Sequence, residues 1–174
     1  MIRRCEESDF EAILAIVNEA ARAYDGVIPA DCYHEPYMPA EELRGEIDAR
    51  VEFWAWEEAG TVLGIMGVQD VKDATLIRHA YVRPADQGRG IGARLLAYLR
   101  DRTARPLLIG TWADAAWAIR FYQKHGFELT SAERKAALLR RYWSVPERQI
   151  ETSVVLAERG WLAGAGTGGC DSLE

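Results

Sequence analysis

Tyr81-Val82-Arg83-Pro84-Ala85-Asp86-Gln87-Gly88-Arg89-Gly90-Ile91-Gly92 is the stretch on which the reading of this chain turns. Before it, residues 74–82 read as a long strand that Pro84 ends. After it, Ile91, Leu95, Leu96 and Leu99 recur at helical spacing and predict a helix over 90–103. Strand, glycine-rich turn and helix in that order make an anion site. Glycine lets the backbone approach a ligand closely and adopt conformations that a side chain forbids. The free N–H groups at the helix start, together with the helix dipole, suit a pyrophosphate. Arg89 can add a charge-assisted contact. Two rival phosphate motifs do not fit. The dinucleotide fingerprint needs Gly-x-Gly-x-x-Gly, which Gly88-Arg89-Gly90-Ile91-Gly92 does not supply, and no Gly-Lys-Ser/Thr follows.

Working outward, helical and strand patterns alternate, an α/β arrangement. Upstream, residues 1–5 suggest a short strand. Ser8 and Glu11 have capping-box spacing, and Phe10, Ile13, Leu14, Val17 and Ala21 predict a helix to about Tyr24. A turn-rich, aromatic loop covers 25–39, and a second helix begins near Pro39 with Leu43 and Ile47 on one face. Strands over 51–56 and 62–71 form a hairpin about Glu57–Gly60. Downstream come a buried strand over 106–112, a helix capped by Asp114 and ended by Gly126, and a short strand over 127–130. A helix over 132–143 and a last strand over 149–156 complete the pattern.

The 174 residues, 49% hydrophobic and 28% charged, suit one globular domain over 1–160 with a flexible glycine-rich tail over 161–174. A net charge of -6 argues against nucleic acid as a partner. No apolar run is long enough for a membrane span, and residues 1–11 carry no secretory pattern, so the expected location is cytoplasmic. Cys5, Cys32 and Cys170 are odd in number and scattered, which suits a reducing compartment, and the three scattered histidines support no metal site. Arg134, Lys135, Arg140, Arg141 and Arg148 cluster late in the chain, either as a solvated face or as the contact of a homodimer.

Two motifs together resemble the GNAT N-acetyltransferase superfamily. Gln87-x-x-Gly90-x-Gly92 matches its Arg/Gln-x-x-Gly-x-Gly/Ala hallmark. Ala118-Ile119-Arg120-Phe121-Tyr122-Gln123-Lys124-His125-Gly126-Phe127 is similar to its A-x-x-F-Y-x-x-x-G-F segment. Both stand in the family's order, and the resemblance spans roughly residues 1–156. It implies a central, mixed, mostly antiparallel twisted sheet of about seven strands flanked by about four helices, with strands splayed at the cofactor site. It also implies acetyl-CoA as co-substrate. The amides of Gln87, Gly88, Arg89, Gly90, Ile91 and Gly92 would hold its pyrophosphate. A backbone N–H near Tyr81 or Val82 would polarise the thioester carbonyl, and Tyr122 would be the general acid on the departing thiolate. One departure stands out: Ala115 occupies the position where the family commonly carries an asparagine that contacts the cofactor, so Trp112 or Asp114 reshapes that wall.

An amine must lose a proton before it attacks, so a base of near-neutral pKa suits the step. His79, on the strand leading into the loop, is the first choice; alternation puts it on one face with Ile77 and Tyr81. Glu52, Glu35 and water are alternatives. The 25–39 loop would cover the acceptor, with Tyr33, Glu35 and Tyr37 offering aromatic faces and charge, and Arg78 offering a cation for a carboxylate. The expected activity is transfer of acetyl, by direct attack, to a primary amine of a small or amino-acid-like molecule. Acetylation of a protein N-terminus or lysine is a second reading, and an acyl-CoA-binding module without catalysis is a third.

Overall fold

The structure, a computed structural model, describes residues 1–164. Seven strands form one sheet: β1 (Ile2–Arg4), β2 (Glu52–Glu58), β3 (Thr61–Val71), β4 (Ala74–Val82), β5 (Leu107–Trp112), β6 (Phe127–Leu129) and β7 (Ser153–Glu158). Their order across the sheet is β1-β2-β3-β4-β5-β7-β6. Only β4 and β5 run parallel; every other pair is antiparallel. The helices are α1 (Phe10–Ala21), α2 (Ala40–Asp48), α3 (Ile91–Arg100), α4 (Ala116–Lys124), α5 (Ala132–Tyr142), α6 (Glu147–Thr152) and α7 (Arg159–Gly164). The mixed, mostly antiparallel seven-stranded sheet is the one expected, with three more helices than the four predicted.

Both faces of the sheet are covered. On one, Ile91, Leu95, Leu96 and Leu99 of α3 and Tyr122 of α4 pack on Met66, Ile77 and Ile109. On the other, Ile13, Ile16 and Val17 of α1 and Leu43 of α2 meet Phe53, Ala55 and Ile65. Beside these, Leu138, Leu139 and Tyr142 of α5 and Ile150 of α6 cover Leu76, Leu108 and Val155. The apolar face of each helix thus finds its own part of the sheet, as amphipathic spacing requires.

Three local expectations need correction. The strand over 149–156 begins only at Ser153. Pro146 opens the short helix α6 ahead of it, and six helical residues are too few to leave a periodic signature. The cap before α1 is not Ser8: Asp9 accepts from the Glu6 amide at 2.8 Å, and Arg3 holds the same carboxylate at 2.7 and 2.8 Å. Asp114 does not cap α4, whose N-cap residue is Ala115. At the C-terminal end, α7 occupies the first four residues assigned to the tail, and residues 165–174 of that assignment lie outside the described residues.

The late basic cluster is engaged within the chain. Arg148 pairs with Asp31, Arg140 with Glu147 and Arg141 with Asp73, while Arg134 lies over the Trp161 ring.

Candidate active site

The site begins where β4 and β5 part. They pair through Thr75↔Leu107, Leu76↔Leu108 and Ile77↔Ile109, and no further. From Arg78 onward β4 has no strand partner on that side, so a ligand can reach its backbone. A bulge lies at the same place. Between the pairs Met66↔Ala80 and Val68↔Ile77, two residues of β4, Arg78 and His79, stand opposite one of β3, Gly67. One extra residue inverts the alternation. Ile77 therefore packs with Met66 under α3, whereas His79 stacks on Phe53 and Tyr81 on the opposite face, with ring centroids 5.8 and 6.4 Å apart. His79 does share a face with Tyr81, but not with Ile77 as strict alternation predicts.

The glycine loop follows β4. Gly88 and Gly90 have φ of 80° and 77°, left-handed values that side chains rarely adopt, and Gly90 is the N-cap of α3. Among the described residues, the Gln87 amide meets the Pro84 carbonyl at 3.5 Å, and the next amide to bond is that of Arg94, to the Gly90 carbonyl. The N–H groups of residues 88–93 are left free, as a pyrophosphate-binding loop requires. Gln87 reaches back to the Val82 carbonyl at 3.2 Å and ties the loop to the strand end. Gly64 of β3 allows the close approach of α3: a Cβ there would come 2.9 Å from Ile91 Cγ2. Arg89 is already held by Asp86 at 2.5 Å and Glu58 at 2.7 Å, so its guanidinium is engaged within the chain.

Beneath the loop is a cavity of about 340 Å³, lined by Val82, Gln87, Gly92, Trp117, Phe121 and Tyr122 among others. A second cavity, of about 310 Å³, opens on the other side of β4. Both are bounded by Tyr24, Ala80, Tyr81, Ala118 and Tyr122. Tyr122 is only 5% exposed. Burial, reinforced by neighbouring Tyr24, raises its phenol well above the ordinary tyrosine value, so it stays protonated at neutral pH. Burial does the same to Tyr81, with Tyr24 and Tyr37 adding to the shift.

Glu46 of α2 organises the ionisable side of the second cavity. It accepts two bonds from Arg78, at 2.7 and 3.0 Å, and Oε2, which takes the longer of them, also lies 3.4 Å from His79 Nε2. Burial pushes the Glu46 carboxyl up, but His79 and Arg78 outweigh it and hold the group below the usual glutamate range. His79 Nε2 is buried without a good hydrogen bond of its own, which leaves Nδ1 as the nitrogen that can meet a ligand. Trp112 Nε1 donates to Tyr37 Oη at 2.8 Å and fastens the 25–39 loop to β5.

Of the residues expected from the sequence, Tyr122, Tyr81, Val82, Gln87 and Gly92 meet around the first cavity, and His79, Arg78 and Tyr37 around the second. Gly88, Arg89 and Gly90 form the exposed turn above the first, while the Ile91 side chain is buried under α3. Tyr33 and Glu35 line neither cavity: the Tyr33 hydroxyl donates to Glu35 at 3.0 Å, and the Tyr33 ring stacks on that of Tyr37 with centroids 6.3 Å apart. Ala115 is fully buried at the start of α4. Glu46, Glu42 and Trp143 also line the second cavity without having been singled out. One signal existed for the two glutamates. Like charges at i and i+4 on a helix repel, so Glu42 and Glu46 on one face invite a functional reason.

Comparison with known proteins agrees with this geometry. The profile of the acetyltransferase (GNAT) domain matches residues 49–129. The chain is 30% identical over 129 residues to the peptidyl-lysine N-acetyltransferase YiaC of Escherichia coli, across 74% of this chain and 84% of that one. Among solved structures, a GNAT family acetyltransferase from Brucella melitensis in complex with acetyl-CoA is 25% identical, covers 74% of this chain and 82% of its own, and superposes with a TM-score of 0.55. The PaiA N-acetyltransferase of Thermoplasma acidophilum, solved with coenzyme A, shares the fold at 16% identity and a TM-score of 0.68, across 91% of this chain and 97% of that one.

Proposed function

The chain belongs to the GNAT acetyltransferases and takes acetyl-CoA as its co-substrate, and on that premise we propose that it acetylates the primary amine of a small molecule. The observation that carries this reading is the pair of cavities meeting at Tyr81 and Tyr122. One lies under a loop of free amides, and the other is lined by ionisable and aromatic side chains. Two substrates held on opposite sides of β4 can react directly, without a covalent enzyme intermediate.

Each residue then has a role. The amides of residues 88–93 bind the pyrophosphate. The unpaired backbone of β4 near Tyr81 and Val82 polarises the thioester carbonyl. His79 takes the amine proton on Nδ1. Glu46, whose carboxylate lies 3.4 Å from Nε2, stabilises the imidazolium that forms. Tyr122 donates to the thiolate as the carbon–sulfur bond breaks. The second cavity is walled by the 25–39 loop and by Trp143, Ser144 and Val145 ahead of α6, and the Arg148–Asp31 ion pair, at 2.8 and 3.1 Å, joins these two walls. Such an enclosure favours a small acceptor over a folded protein surface. A cytoplasmic location is part of this reading, and the scattered cysteines and the use of acetyl-CoA support it.

Thiol release from acetyl-CoA, followed against a panel of small amines, amino acids and lysine peptides, tests this. Release with small amines is expected. Release with peptides alone would turn the assignment to protein lysine, and binding of acetyl-CoA with no release from any acceptor would favour a non-catalytic module.

A further inference from the structure

We propose that the acceptor is a primary amine that carries no carboxylate, an alkylamine, arylalkylamine or diamine, and not an amino acid. This rests on the small-amine reading above. Among the described residues, the second cavity contains no free cation to receive a carboxylate. Arg78 is the one guanidinium that lines it among the described residues, and both its bonds to Glu46, at 2.7 and 3.0 Å, are already made. It also donates to Gln69 at 3.2 Å. Arg148, next to Gln149 on the cavity wall, is bound at 2.8 and 3.1 Å by Asp31 and approached by Glu151 at 3.5 Å. An acceptor carboxylate would have to evict Glu46 or Asp31 from its arginine.

The same wall suits a cation. Glu42, one turn before Glu46 on α2, lines the cavity and has no cationic partner among the described residues. Two carboxylates, Glu42 and Glu46, therefore face a single guanidinium on this wall. Tyr37, Trp112 and Trp143 add the aromatic faces on which an ammonium group or an apolar chain can rest. An α-carboxylate brought here would meet like charge at short range in a partly desolvated space, where repulsion is several times stronger than in water.

Matched pairs isolate the carboxylate. Cadaverine against lysine, putrescine against ornithine, and phenethylamine against phenylalanine each differ by that one group. In each pair the carboxylate-free amine is expected to have a kcat/KM on the order of tenfold higher or more. Glu42→Gln, an exposed change on α2, is expected to narrow that ratio. Equal or better turnover of the amino acids would overturn the proposal and leave the acetyltransferase reading standing. No thiol release with either member of any pair, while acetyl-CoA still binds, would overturn the small-amine reading and this proposal together.

Discussion

Glu46→Gln is the perturbation whose cost follows most directly from the structure. The change removes the charge that holds Arg78 at 2.7 and 3.0 Å and that lies 3.4 Å from His79 Nε2. The side chains of Arg78 and Glu46 are 18% and 17% exposed, so solvent screens the pair only in part. Removing one partner of a fully buried pair costs about 3–5 kcal/mol. Two features lower that figure: the glutamine oxygen still accepts one bond, and Arg78 retains Gln69 at 3.2 Å. A destabilisation of about 2 kcal/mol at pH 7 is expected, or about 4–8 °C in Tm for a domain of this size. The sign with pH follows from the carboxyl being held below its usual range. A group whose folded pKa is depressed stabilises fully above its unfolded pKa, roughly 4.3, and loses that contribution as pH falls through the folded value. The difference between wild type and variant should therefore shrink below about pH 4.3. Urea unfolding of both proteins at pH 7 and through that range measures it. A difference under about 0.5 kcal/mol at pH 7, or one that does not change on acidification, would show that the pair is not coupled as described.

Tyr122→Phe should lower kcat at least about tenfold and leave acetyl-CoA affinity unchanged, since only the donor to sulfur is lost; steady-state kinetics with an unaltered kcat would remove Tyr122 from the chemistry. Gly90→Val should abolish acetyl-CoA binding in calorimetry, because a β-branched residue at φ 77° is strained by about 1–2 kcal/mol and re-aims the free amides. Wild-type affinity there would disprove the loop assignment. Trp112→Phe removes the 2.8 Å bond to Tyr37 and should raise the acceptor KM several-fold while acetyl-CoA affinity holds, and an unchanged acceptor KM would mean that the 25–39 loop does not depend on that bond.

The elements were largely legible. Residues 74–82 form β4 to the residue, and α3 and β5 start within one residue of expectation, because long periodic segments carry strong signals. Short pieces such as α6, without periodicity, were not. The cofactor side of the site was also legible, since a glycine loop and the Phe121-Tyr122 segment are contiguous in sequence. The acceptor side was legible only in part. Tyr37, Arg78 and His79 were anticipated and do come together, but Tyr33 and Glu35 bond to each other and line neither cavity.

By itself the sequence determined the order of the seven strands and of helices α1 to α5, the glycine turn with its run of free amides, and the tyrosine set one turn before Gly126. Each is a matter of local spacing and backbone permission. Only the tertiary structure decided the rest. The bulge in β4 turns His79 away from Ile77, the parting of β4 from β5 exposes the β4 backbone beyond Ile77, and the approach of α2 to β4 brings Glu46 to both Arg78 and His79. The last two depend on contacts between residues 32 positions apart in the chain, as in the Ile77–Ile109 and Arg78–Glu46 pairs, whereas the bulge arises in the pairing of β4 with its sequence neighbour β3. Local spacing carries no information about which distant charges will share one desolvated wall.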